Sequence, residues 1–405
     1  MEIEISNQLN RIDSLILKKG ELESNGLFAG LGGCSMYFSK RYLQTKNKQY
    51  HAYSIEFLEQ IVENANHLFI PNHLCLTIPC VTPCWLIDQY VKLGLLDNDE
   101  KKNSRMIVDL ILESLTDEEL KNNHHDLFYG FIGKAIFLIE NDQKNNAQCL
   151  SKIVEALKEN AIVDKCGVYW NTPYPFHPLS QFEKTINFGI PHGCLGIILF
   201  LIKCSDSLKM RNELSSILRS SIDWILNKLD EQKNKLLHVY GNEGGGMGRL
   251  AWCYGDLAIS FVLLRYDEVF GSIKSREKAY ELIALASSKS INETGLQYYS
   301  EYDFYDVGLC HGTSSVAYMY HKMAQITGDN NIKILADKWL SITVENLTKF
   351  LFHFDIVADR RDKDIDYTMG FLEGLSGVGL ALISFLNPKL SDWDKLLLLD
   401  RPGRE

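Results

Sequence analysis

Short glycine-containing segments, each running straight into an apolar stretch, recur along the chain. They are GLFAGLGGCSMYF from Gly26, DLFYGFIGKAIFLI from Asp126, FGIPHGCLGIILFLI from Phe188, AWCYGDLAISFVLL from Ala251, LCHGTSSVAYMY from Leu309 and FLEGLSGVGLALISFL from Phe371. A seventh copy, IPCVTPCWLIDQYV from Ile78, keeps the apolar tail but has Pro79 and Thr82 where the others tend to carry glycine. Counted from Gly30, Gly130, Gly193, Gly255, Gly312 and Gly374, with Pro79 standing in for the second copy, the steps are 49, 51, 63, 62, 57 and 62 residues. Each step holds about two helices and their loops. Stretches 212–229, 275–289 and 331–351 between the cores place apolar residues three and four apart, the mark of helices with one buried face. Stretches 197–202 and 380–386, behind the glycines, are apolar on nearly every side, as helices of an inner, buried layer would be.

Seven such pairs predict an all-α chain of about fourteen helices. Glycine at each inner-helix start permits a sharp turn and close packing, and it leaves helix N-termini at corresponding places in every repeat. If the array closes into a toroid, those ends point at one cavity. Segment 168–179 (VYWNTPYPFHPL), with three prolines, is expected to be a long loop or small strand element near its mouth. No linker or composition break divides residues 1–405, which read as one domain.

Composition narrows the class. Lys and Arg number 42 against 52 Asp and Glu, a formal net charge of −10, which disfavours nucleic acid as a partner. Hydrophobic residues make up 46%, enough for a folded globular core. The longest apolar run stops at Lys203, short of the roughly 18–20 residues a membrane span needs, so no membrane span is expected. The N-terminal segment lacks a secretory pattern, so a cytoplasmic location is expected and the 10 cysteines should be free thiols or metal ligands.

Polar residues at core positions stand out because the repeats act as mutual controls. His192 precedes Gly193, Cys253 lies two before Gly255, and Cys310 and His311 precede Gly312. Two thiolates and an imidazole suit zinc and leave a fourth position open, as catalytic sites do. The plain alternative for each is a packing residue in a helical repeat. Cys75, Cys80 and Cys84 form a rival cluster that no His or acid completes, whereas Cys34 and Cys194 look like small core residues. Cys149, Cys166 and Cys204 follow no pattern, and His124 and His125 read as solvated. Asp126 is either a helix N-cap or a carboxylate that orients an acid/base group. Arg249 is either a surface residue or a cation contacting substrate, and Tyr254 either packs or places a phenol near the metal.

At HG (His192–Gly193), WCYG (Trp252–Gly255) and CHG (Cys310–Gly312), in that order, the sequence resembles the LanC family, the lanthionine synthetase or lanthipeptide cyclases. The resemblance runs from the GLFAGLGG copy to the GLSGVGLAL copy. It implies an (α/α) toroid of seven helix pairs with an inner and an outer ring. It also implies one zinc per chain held by Cys253, Cys310 and His311, with Asp126, His192, Arg249 and Tyr254 as the other active-site positions. The implied reaction is intramolecular addition of a peptide Cys thiolate to dehydroalanine or dehydrobutyrine. The implied partners are a dehydrated precursor peptide with its leader, a separate dehydratase and an exporter complex. The degenerate second copy is the main departure from the family pattern.

The family also includes domains of bifunctional synthetases and relatives that act on glutathione or modified proteins. A chain beginning at the first repeat has no room for a dehydratase domain, so a stand-alone cyclase is expected. Two rival enzyme readings are a prenyltransferase-like zinc toroid, which uses an Asp/Cys/His set, and a glycoside hydrolase toroid with Glu373 and Asp126 as its acids. A third rival is a non-catalytic module whose metal stabilises a scaffold for peptide, dehydratase or glutathione.

Overall fold

The computed structural model describes residues 1–18, 22, 24–65, 81–100, 108–109, 111–113, 115, 117–121, 125–142, 144–172, 186–231, 239–240, 249–354 and 368–402. Six of the repeats begin a helix at the residue immediately after their glycine. These helices are Leu31–Thr45, Phe131–Asp142, Cys194–Ser207, Asp256–Phe270, Thr313–Thr327 and Leu375–Leu386. In the second copy the helix is Thr82–Lys92, so Val81 takes the glycine's place, with a proline in the first turn. Pro79, the position first matched to the glycines, lies outside the described residues, as do Cys75, Cys80, His124 and the part of 168–179 beyond residue 172.

The expected one-sided helices are Arg211–Glu231, Ile273–Ser288 and Asn330–Phe352, each within two residues of the stretch read from the sequence. Their partners are buried all round: residues 194–205 of Cys194–Ser207 and 375–384 of Leu375–Leu386 are buried without a break. Helix Glu2–Lys18, which the repeat pattern did not single out, buries Ile5, Leu9, Ile12 and Ile16 along one stripe and packs on Leu375–Leu386. Strand content is slight. Ile162–Asp164 pairs antiparallel with Gly167–Tyr169, Ile186–Asn187 with Val239–Tyr240, and Tyr298–Tyr299 with Phe304–Tyr305.

The chain forms two compact units. The first comprises Met1–Ser114, Gln297–Tyr318 and Asp337–Trp393. Inside it the carboxylate of Asp13 receives hydrogen bonds from Arg41 Nη2 at 2.7 Å, Tyr50 Oη at 2.6 Å and Tyr37 Oη at 2.5 Å, pinning the first three helices together. Buried charges survive when each is paired and hydrogen-bonded, and Asp13 has three partners. Here the last repeat also meets the first: Leu372 N–H donates to the Phe28 carbonyl at 3.2 Å, and the Phe28 and Phe371 rings stack at 5.7 Å.

The second unit comprises Leu115–Leu296, Met319–Ala336 and Asp394–Glu405. Its C-terminal segment is fastened by charge. Lys203 pairs with Asp400 and with Glu140 at 3.0 Å, Lys395 reaches Glu140 at 3.0 Å, and Arg401 pairs with Glu268. Burial alone would raise the Glu140 carboxyl, but the ammonium groups of Lys203 and Lys395 outweigh it and hold the group at about 2.

A carboxyl depressed on folding contributes stability that is complete above its unfolded pKa, about 4.5, and is lost as pH falls towards about 2. The shift corresponds to something on the order of 3 kcal/mol. Glu140→Gln should therefore lower the urea midpoint at pH 7, and the gap to the unsubstituted chain should shrink between pH 4.5 and pH 2. A gap independent of pH would show that the carboxylate charge is not what Lys203 and Lys395 need.

Candidate metal centre and acid/base pair

Each candidate side chain sits in the loop that leads into one of these helices. In three copies the loop opens with a short polar residue whose side chain caps the N–H two residues on. Ser24 Oγ accepts from Gly26 at 3.3 Å, Asn187 Oδ1 from Gly189 at 2.7 Å and Asp306 Oδ1 from Gly308 at 2.6 Å. The opening residue's carbonyl then meets the start of the helix, accepting from Leu31 N–H at 3.0 Å in the first copy and from Thr313 N–H at 2.7 Å in the sixth. Orphan amides of the first helical turn are satisfied in this way.

The glycine closing the loop is required by that approach. Gly255 has φ +91°, and a Cβ there would lie inside the van der Waals surface of the Arg249 carbonyl oxygen. Gly193 has an extended φ, but a Cβ would collide with the Asn187 carbonyl in the same way.

Against this shared motif the chemical residues are exceptions at defined places. Gly26, Gly189, Gly308 and Gly370 lie four before the closing glycine and Ala251 occupies the equivalent place, but the third copy has Asp126. The opening position holds Ser24, Asn187, Asp306 and Thr368, but the fifth copy has Arg249. The residue just before the glycine is His192, Tyr254 or His311 in copies four to six, and two before it stand Cys253 and Cys310 in copies five and six.

Asp126 divides its two oxygens. Oδ1 accepts from the N–H groups of Phe128 at 2.7 Å and Tyr129 at 3.0 Å, closing a turn well before helix Phe131–Asp142, so the residue caps a turn rather than that helix. Oδ2 lies 2.6 Å from His192 Nδ1, with both side chains mostly buried. Around the imidazole, Phe128 approaches edge-on at 5.4 Å and Tyr129 lies parallel at 6.0 Å, while Phe128 also packs on Trp252 at 5.9 Å. The loops are joined through the backbone, Leu127 N–H to the Pro191 carbonyl and Ile190 N–H to the Cys253 carbonyl, each at 3.0 Å.

Tyr254 accepts a hydrogen bond from Asn187 Nδ2 at 3.0 Å, and its ring lies against Gly189, so it packs within the loop system. The Arg249 side chain is half-buried and, among the described residues, makes no hydrogen bond or ion pair. Cys253 and Cys310 are buried and His311 half-buried, Cys310 being held by its N–H to the Leu372 carbonyl at 2.8 Å.

Among the described residues, one group of His, Cys and acidic side chains could hold a metal ion: Cys253, Cys310 and His311, whose ligand atoms all lie within 4.8 Å of one another. Tetrahedral zinc takes thiolate and imidazole ligands at bonds of about 2.0–2.3 Å, and two Cys with one His leave a fourth position open. The donor chemistry therefore fits zinc. The remaining described cysteines are also free thiols, and burial pushes the Cys194 thiol up to about 12, which suits an inert core residue. Cys84 is buried and Glu373 exposed.

Sequence reasoning missed Phe128, Tyr129, Trp252 and Asn187 as parts of the site. The signal available for the first two was their place between Asp126 and Gly130 in a repeat whose register was already known.

The fold is all-α. A solved structure of nisin cyclase matches 97% of this chain and 97% of its own at a TM-score of 0.66 and 18% identity, a likeness that establishes the shared α/α toroid fold. The sequence profile described as Lanthionine synthetase C-like protein matches residues 21–398, and the chain belongs to that family. A glycosyl hydrolase family 88 protein from Bacteroides vulgatus matches 86% of this chain and 99% of its own at 14% identity, with a TM-score of 0.41, too slight to support an argument. No helix among the described residues is long and apolar enough to cross a membrane.

Helix Asp256–Phe270 supplies an internal control for the loop geometry. It is bounded by two glycines of positive φ: Gly255, pressed against Arg249, and Gly271, where a Cβ would meet nothing within 4 Å. Gly271→Ala should cost only backbone strain, about 1 kcal/mol, whereas Gly255→Ala adds a collision with backbone and should cost on the order of 3 kcal/mol. Thermal melts of the two variants read the difference, and equal losses would mean that the loop does not need the contact.

Proposed function

We propose that this chain is a zinc-dependent peptide cyclase. It forms lanthionine and methyllanthionine rings by adding a Cys thiolate to dehydroalanine or dehydrobutyrine within a dehydrated precursor peptide. The observation that carries the reading is the convergence of Cys253, Cys310 and His311 in a chain of this family. The name of its structural relative, nisin cyclase, supports it further. Free cysteine has a pKa of about 8.5, so little of a substrate thiol is thiolate at neutral pH. Zinc held by the three residues, with a fourth position open, would supply the charge that favours the thiolate.

The remaining roles fall to side chains. Thiolate attack forms the C–S bond at the β-carbon and moves the double-bond electrons towards the α-carbon and its carbonyl as an enolate. A proton must then reach the α-carbon. Because the Nδ1 side of His192 is committed to Asp126, delivery falls to Nε2, and the carboxylate fixes the orientation of the ring. The Arg249 guanidinium is suited to a peptide carbonyl or to the developing enolate oxygen. Tyr254 acts by supporting the loops. We read residues 1–405 as a single cyclase domain acting in the cytoplasm on a leader-bearing peptide, with dehydration by a separate enzyme and export by a separate complex.

Ring closure leaves mass unchanged, so alkylation of remaining thiols is the assay. Cys253→Ala and Cys310→Ala should lose most bound zinc and ring closure together, and full zinc content in either would remove that residue from the ligand set. His192→Ala and Asp126→Asn should keep zinc and slow ring closure by roughly 10²–10⁴-fold, the usual contribution of a positioned acid/base. Near-normal closure by His192→Ala would take it out of the reaction. An unsubstituted, zinc-loaded chain that retains dehydrated peptide without consuming thiols would favour a non-catalytic binding module.

A further inference from the structure

We propose that Tyr129 is a positioning residue for the acid/base pair, its ring holding the plane of the His192 imidazole; the inference rests on the cyclase reading above. The two rings are parallel to within 6°, with centroids 6.0 Å apart. A hydrogen bond at Nδ1 fixes one edge of an imidazole, but the ring can still tip about the line to Asp126 Oδ2. A flat neighbour lying parallel to it restricts that tipping. Nε2, on the far edge, is then aimed in one direction, as proton delivery to a single carbon requires.

Two further observations support the assignment. The Tyr129 backbone N–H donates to Asp126 Oδ1 at 3.0 Å, so one residue braces both members of the pair, the carboxylate by its main chain and the imidazole by its ring. Tyr129 also stands immediately before the closing glycine of its loop, the place taken by His192, Tyr254 and His311 in later copies. Core packing does not account for it, because Tyr129 is 45% exposed while its neighbours Leu127 and Phe128 are buried. Phe128 approaches the imidazole edge-on from another side and is itself held against Trp252. It is the aromatic ring of Tyr129 that matters here, and the hydroxyl has no part in the inference.

The test uses the full-length, zinc-loaded chain and dehydrated peptide. Tyr129→Ala should lower kcat about 10-fold with KM within about two-fold and zinc content unchanged, while Tyr129→Phe should stay within about two-fold of the unsubstituted chain in both constants. Histidine-selective NMR, with His192 assigned by its loss in His192→Ala, needs no substrate. Its ring-proton shifts should move in Tyr129→Ala and hold in Tyr129→Phe, because only an aromatic neighbour supplies a ring current. Full kcat in Tyr129→Ala, equal defects in the two Tyr129 variants, or unmoved His192 resonances would each overturn the inference. An inactive His192→Ala beside a fully active Tyr129→Ala would sink the inference and leave the cyclase reading standing, whereas an unsubstituted, zinc-loaded chain that closes no rings would overturn the cyclase reading and the inference with it.

Discussion

The arrangement depends on backbone hydrogen bonds passed from one core loop to the next. Leu127 donates to Pro191, Ile190 to Cys253, Cys310 to Leu372 and Leu372 to Phe28. Loops that introduce buried helices carry amides and carbonyls that cannot be left unpaired away from water, and here the third, fourth and fifth loops meet part of that need among themselves, as do the sixth, seventh and first. The side-chain positions just before each glycine are thereby held at fixed depths relative to their neighbours. The imidazole of His192 and the carboxylate of Asp126, 66 residues apart in the sequence, meet on two loops joined in this way.

The candidate site residues are departures from a structural rule. Asp126 replaces the small residue of its loop, and Arg249 replaces the short polar residue that opens the first, fourth, sixth and seventh. Asp126 shows how such a departure is accommodated. Its Oδ1 still closes a turn, leaving Oδ2 for His192. The two oxygens thus have different partners, backbone amides for one and an imidazole for the other.

Much of this was legible in the sequence because repetition is a strong signal and glycine before a buried helix has one physical cause. The six helix starts and the outer helices near 212–229, 275–289 and 331–351 follow directly from it. The second copy was harder to register because Val81 adopts a right-handed helical conformation, leaving no glycine to mark the helix start. Helix Glu2–Lys18 escaped notice because its apolar stripe is matched by a helix at the far end of the chain, a relation that no local window contains. Cys253, Cys310 and His311 were marked by residue type and register, and Asp126 and His192 by position within the repeat. The aromatic wall of Phe128, Tyr129 and Trp252 was not, since an aromatic residue at an inner-helix start reads as core until its neighbours are seen.

The meeting of the first and last repeats bears on synthesis. Gln8 donates to Thr348 at 2.6 Å, 340 residues later, and the apolar stripe of helix Glu2–Lys18 is covered by Leu375–Leu386. At about 5–20 residues per second, a ribosome needs roughly 20–70 seconds to add that many residues. Throughout that interval the emerging helix has Ile5, Leu9, Ile12 and Ile16 without their final cover. Native contacts of such long sequence separation form slowly, so the packing of this helix is completed only after most of the chain has been synthesised.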